Sequence, residues 1–311
     1  MHAVGHGNPW IADVEADRRP VPAWLTALIG IGFAVGILMI VPRGLSSRFG
    51  EWVATAAADL GAPWPDMLAR AAPAMLIFGG LYGVAAAATA FEGRPLWRLR
   101  GRWPLALLAG LAVGAGAFCA SVAIVGVAGD VTAAASAPRP SVAGALILGA
   151  LLVAFQVSAE EAYFRGWLQP VFCAHWGPWM GLGATALLFG ALHVIAGAQG
   201  PLAIFNLVLG GLMFGLLALR SGGLIAPAAA HFGWNWTESG GLGLTHPAGG
   251  SLAALRLAGG DLWSGGPDGM NGSPALTLAL AIVVAILIRV GPNPSARPEA
   301  RRSGRAPRRR P

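Results

Sequence analysis

Eight apolar segments of about twenty residues recur along this chain, at roughly 22–42, 68–91, 104–128, 141–165, 179–197, 199–219, 223–240 and 273–290. A run of that length crosses the hydrocarbon core of a bilayer as a helix, and helices or closed barrels are the only structures that satisfy the backbone there. The sequence therefore predicts an all-α polytopic membrane protein with about eight transmembrane helices. Composition agrees. The 311 residues are 55% hydrophobic and 11% charged, with a mean hydropathy of +0.62, where a soluble domain carries about 25% charged residues. The weakest segment is 223–240, because it contains Pro227, His231, Asn235 and Glu238.

The net charge of +7 is unevenly placed. Every basic residue is Arg, and eight of the 21 lie between Arg289 and Arg310, directly after the last apolar segment. Such a tail reads as an orientation signal beside anionic lipid; nucleic acid is not expected as a partner, since no aromatic platform accompanies the charge. The connection "GRPLWRLRGRW" (93–103) carries four more arginines. With eight crossings, this connection and the tail fall on one side, together with Arg165 and Arg220. The opposite side holds Arg43, Arg48, Arg70, Arg139 and Arg256. The positive-inside rule makes the richer side cytoplasmic, with both termini there. The absence of Lys and the wealth of Ala, Gly and Arg look like a GC-rich bacterial genome, which places the protein in a bacterial inner membrane.

Six regions follow from this reading. Residues 1–20 are a loose cytoplasmic tail, 21–140 the N-terminal helices, and 141–240 a unit that concentrates the intramembrane polarity. Residues 241–272 are a Gly-rich, irregular non-cytoplasmic connection, 273–290 the last span, and 291–311 a basic cytoplasmic tail. The stretch 132–141 is read as a flexible link. Cys119 and Cys173 lack metal-ligand spacing and read as small apolar fillers without a disulfide. The first apolar run lacks a convincing cleavage site and is read as a retained helix.

A charged group inside a span costs about 2.5–3.5 kcal/mol on insertion scales, so it is a functional candidate by default. The candidates are Glu160, Glu161 and Arg165 in "SAEEAYFRGW", His193 in "FGALH", and His231, Asn235 and Glu238 in and after "HFGWN". At about 100° per residue, Glu161 and Arg165 lie one turn apart as a favourable i,i+4 pair, while Glu160 points elsewhere. If the three helices converge, Glu160, His193, His231 and Asn235 meet around one cavity. Glu160, His193 and His231 then hold a divalent metal, zinc first. Alternatively, Glu160 activates a water without metal while His and Asn donate to an oxyanion. The plainer readings are an interhelical hydrogen bond for His193, a structural ion pair for Glu161 with Arg165, helix glue for Asn235, and solvation at the outer surface for Glu238. Trp167, Trp176 and Trp179 read as an interfacial belt.

Three motifs stand in order on the fourth, fifth and seventh apolar segments: Glu-Glu-x-x-x-Arg at 160–165, Phe-x-x-x-His at 189–193 and His-x-x-x-Asn at 231–235. Over about 141–240 they resemble the CPBP intramembrane endopeptidases, which include type II CaaX prenyl proteases and bacteriocin-immunity proteins. The resemblance implies cleavage of membrane-associated or lipidated substrates by a Glu-activated water. It implies Glu160 as general base, His193 as its partner, His231 and Asn235 as ligands or oxyanion hole, and Glu161 with Arg165 as support for the helix. Metal-dependent and metal-independent routes stay open, and the His-Glu-x-x-His helix of common zinc proteases is absent. The competing readings are a non-catalytic membrane scaffold or immunity protein and a small transporter, the last disfavoured by the lack of an inverted repeat. Because Arg165 lies near the cytoplasmic end of the fourth segment, Glu160 is expected about one turn inside that face and accessible from that side.

Overall fold

Proline opens five of the long helices, at the first or second helical position, where its missing N–H costs nothing and its fixed φ favours helix. The computed structural model describes residues 8–16, 21–42, 46–97, 102–128, 130–133, 143–197, 200–245, 250–258 and 261–290. The basic tail 291–311, residues 1–7, and Arg43, Arg98, Arg100 and Arg139 lie outside the described residues. In chain order the helices are α1 (Pro9–Glu15), α2 (Ala23–Ile40), α3 (Ser46–Ala56), α4 (Trp64–Phe91), α5 (Trp103–Val127) and α6 (Ala143–Glu161). A wide π-helical turn, Ala162–Leu168, joins α6 to α7 (Gln169–Trp176). Then come α8 (Pro178–Ala196), α9 (Pro201–Ser221) and α10 (Ile225–Trp236), a second π turn (Thr237–Gly241), α11 (Asp261–Ser264) and α12 (Pro274–Arg289).

The chain is an all-α polytopic membrane protein. Among the described residues, seven helical runs are long and apolar enough to cross a membrane; α6, its π turn and α7 form one of them, Ala143–Trp176, and the last is Gly266–Arg289. The segment 223–240 is helical but does not reach that length: α10 has 12 residues. Its neighbours explain how it tolerates polarity. It packs most heavily against α5, and a Cβ on Gly114 would overlap the Ala230 carbonyl. Small residues let two backbones close up in this way, which keeps α10 away from lipid. By contrast, Leu28, Ile29, Ile147, Leu151, Ile282 and Ile286 are exposed, as befits side chains facing lipid.

Two ends can be distinguished. At one, the guanidinium of Arg220 donates to the Ile288 carbonyl, 2.9 Å, bringing the C-terminal ends of α9 and α12 together beside Arg289. The loose tail expected over 1–20 is ordered at this end in its described part. There the Asn8 amide donates to the Leu219 carbonyl at 2.9 Å, and the Trp10 indole to that of Gly222 at 2.6 Å. Trp10, Ile11 and Val14 are buried. At the other end, the expected irregular connection carries structure. Strand β2 (Leu255–Leu257) pairs antiparallel with β1 (Val131–Ala133), so 131–133 is also not simply a link. A 3-10 stretch, Gly266–Gly272, is tied to α9 by Asn206, whose amide donates to the Asn271 and Ser273 carbonyls at 2.8 and 3.1 Å.

Two aromatic and thiol readings change. Trp167 is 2% exposed and sits in the core, whereas Trp176 and Trp179 are exposed as a belt requires. Cys173 is buried and Cys119 exposed, and both are free thiols.

Candidate active site

Arg165 is among the most deeply buried side chains, and its surroundings explain why the membrane tolerates it. Its guanidinium donates to Glu161 Oε1 at 3.0 Å and to the Gly211 carbonyl at 3.0 Å. It also lies 4.7 Å from the centre of the Phe189 ring, within cation–π range. The π turn widens the helix just after the two glutamates, and such turns cluster at functional sites. Four residues further on, the Gln169 amide donates to the Gly215 carbonyl at 3.1 Å. The run through α7 therefore descends alongside α9 with a constant offset.

That offset corrects the expected depth. The helix does not end at Arg165; eleven residues follow to Trp176, about 16 Å of rise. Arg165 is neutralised internally and so does not mark the membrane edge. By the same register Glu160 lies level with Asn206, near the start of α9 and the loop-bearing end.

Glu161 is shared. Besides Arg165, its Oε1 accepts from His231 Nδ1 at 2.9 Å. A carboxylate held against a guanidinium can only accept, so His231 Nδ1 carries a proton, and in the neutral ring Nε2 is the free acceptor. That Nε2 stands 4.0 Å from Glu160 Oε2. The Phe214 ring stacks on His231 with 4.5 Å between centres and fixes its plane. On α8, His193 Nδ1 donates to the Phe189 carbonyl at 2.7 Å, which likewise frees its Nε2. Glu160 in turn accepts from the Gln156 amide at 3.1 Å.

These side chains share a cavity of about 330 Å³, lined by Glu160, His193, His231 and Asn235 together with Gln156, Asn206 and Glu238. Thr245 and Asn271 place its mouth at the loop-bearing end, opposite to the end expected from the sequence. Glu238, expected to be solvated outside, lines this cavity. Gln156 and Asn206 were not singled out from the sequence, although each is a polar interruption of an apolar run. Gln156 stands one turn before Glu160, which is the signal that could have found it.

The zinc reading meets a geometric obstacle. Two atoms bound at about 2.1 Å to one tetrahedral ion lie about 3.4 Å apart, against 4.0 Å between Glu160 Oε2 and His231 Nε2, although the Nδ1 bond of His231 to Glu161 is of the kind that supports a metal-binding histidine. Among the described residues, no three His, Cys, Asp or Glu side chains are grouped to hold a metal ion. The side chains as placed do not fit a zinc site.

Bundle and cavity together define a class: helical membrane proteins with a Glu/His/Asn centre sunk between their helices. Residues 141–237, about a third of the chain, match the family described as type II CAAX prenyl endopeptidase Rce1-like. A 74-residue stretch is 39% identical to an uncharacterized 24.3 kDa protein of Escherichia coli, covering 23% of this chain and 33% of that protein. The match thus spans about a third of the length of that curated relative. No solved structure matches the chain.

Proposed function

We propose that the chain is an intramembrane endopeptidase in which a water held between Glu160 and His231 attacks a peptide carbonyl. The observation that carries this reading is the facing pair of acceptors, Glu160 Oε2 and His231 Nε2, 4.0 Å apart in a polar cavity. Two acceptors at that separation are bridged by a water donating one hydrogen to each. Glu160 takes a proton as the water oxygen bonds to the carbonyl carbon. The Asn235 amide, on the same helical face as His231, donates to the oxyanion. Glu160 then passes the proton to the leaving nitrogen as the C–N bond breaks. Glu161 and Arg165 hold His231 in the required tautomer, and His193 Nε2 offers a further acceptor for the water or the substrate N–H. No metal takes part in this sequence.

The substrate is a membrane-associated or lipidated polypeptide, in keeping with the description of the matching family. The arginine-bearing end faces the cytoplasm of a bacterial inner membrane and the cavity opens on the other side. The test compares new peptide termini in membranes of cells making the wild-type chain or its Glu160→Gln variant at equal abundance. Termini unique to wild type that persist after treatment with a metal chelator support the reading. Identical sets of termini refute it in favour of a non-catalytic membrane scaffold, and termini lost on chelation refute the metal-free route.

A further inference from the structure

Glu238 is left over from this mechanism. Positions 231, 235 and 238 share one helical face, so His231, Asn235 and Glu238 form a row running from the catalytic pair toward the mouth. The turn carrying Glu238 is held rigidly. The Ser239 hydroxyl donates to the Asn235 carbonyl at 2.7 Å, Leu242 N–H to that of Thr237 at 2.8 Å, and Leu244 N–H to that of Glu238 at 3.0 Å. Yet the Glu238 carboxyl itself makes no hydrogen bond or ion pair among the described residues.

The charge around it is one-sided. Glu160 and Glu238 are the acids among the described residues lining the cavity, and no Arg is among them; the guanidinium of Arg165 is consumed by Glu161 and Gly211, and Arg70 lines the neighbouring pocket, beside Ser239 and Gly240. A partly buried carboxylate without a partner gains most from a cation that brings its own donors. Seven residues separate His231 from Glu238, about 10 Å along the helix. An extended peptide covers that in about three residues at roughly 3.3 Å each.

We propose that Glu238 is a specificity determinant whose carboxylate receives a cationic group of the substrate about three residues from the scissile bond. This rests on the peptidase reading of the cavity. It is a feature of this chain beyond the family match, which ends at residue 237.

The experiment uses the full chain in cells, made as wild type, Glu160→Gln, Glu238→Gln, Glu238→Asp and Glu238→Lys at equal abundance, with new peptide termini sequenced from membranes. Wild-type cut sites are expected to show Arg or Lys two to four residues from the bond. A preference for cuts two to four residues from the substrate's own N-terminus would instead identify the cation as a free amine. Glu238→Asp keeps the preference, Glu238→Gln weakens it roughly tenfold, and Glu238→Lys turns it toward acidic residues. Wild-type sites without a cation preference overturn the proposal, as does a preference unchanged in Glu238→Gln or loss of all cleavage in the Asp variant. Identical termini in wild type and Glu160→Gln refute the peptidase reading instead, so the two failures are distinguishable.

Discussion

Replacing Arg165 by Met strands Glu161. The guanidinium makes two 3.0 Å bonds, to Glu161 and the Gly211 carbonyl, and both side chains of the ion pair are fully buried. Breaking a buried pair by removing one partner costs about 3–5 kcal/mol, chiefly because the other charge remains without compensation. The orphaned Gly211 carbonyl belongs to the same loss. Changing Glu161 to Gln as well removes the charge while keeping an oxygen for His231 Nδ1. The double variant should therefore recover most of the loss and fall within about 1–2 kcal/mol of wild type, since a buried pair replaced by neutral groups is often nearly neutral. Reversible unfolding in mixed micelles, read for wild type, both single variants and the double variant, gives the coupling energy directly. Peptidase activity should follow the same order, because the double variant keeps an acceptor for His231 Nδ1 without a stranded charge beside it. The reasoning fails if Arg165→Met loses less than about 1 kcal/mol, or if the double variant is no more stable than that single one.

Two further outcomes test the frame around the site. Gly114→Val should destabilise the bundle by about 1–3 kcal/mol as an overpacking change and lower activity, because its side chain would push α10 and His231 away from α5; an unchanged unfolding midpoint would contradict the close approach. A cysteine at Thr245, beside the cavity mouth, should react with a membrane-impermeant maleimide added outside the cell. A cysteine at Arg102, at the start of α5, should react only after lysis. The reverse pattern would invert the orientation argued from the arginines.

The helices were legible in the sequence because a bilayer leaves the backbone few alternatives, and long apolar runs state that constraint openly. The i,i+4 spacing of Glu161 and Arg165 also showed, since it depends on one helix alone. Contacts between helices did not. Nothing in the spacing of "HFGWN" says that His231 turns its Nδ1 to Glu161, because that depends on how α10 is rotated against α6. Arg165 misled the depth assignment for a related reason: a charge satisfied within the bundle looks, in sequence, like a charge at the membrane edge. The strand pairing of 131–133 with 255–257 was hidden by its length, three residues on each side. Glu238 was misplaced because an apolar pattern carries no trace of the loop residues, Thr245 and Asn271, that close around it at the end of the span.

Helix α1 has a bearing on how the protein is made. The acceptors of Asn8 and Trp10 lie 211 and 212 residues further along the chain. At translation rates of about 5–20 residues per second, the ribosome needs roughly 10–40 s to supply them after Asn8 has been synthesised. Until then Trp10, Ile11 and Val14 have no finished surface to occupy. The docking of α1 therefore reports that α9 has been inserted and has reached its turn at Gly222, which makes residues near the start of the chain among the last to find their place.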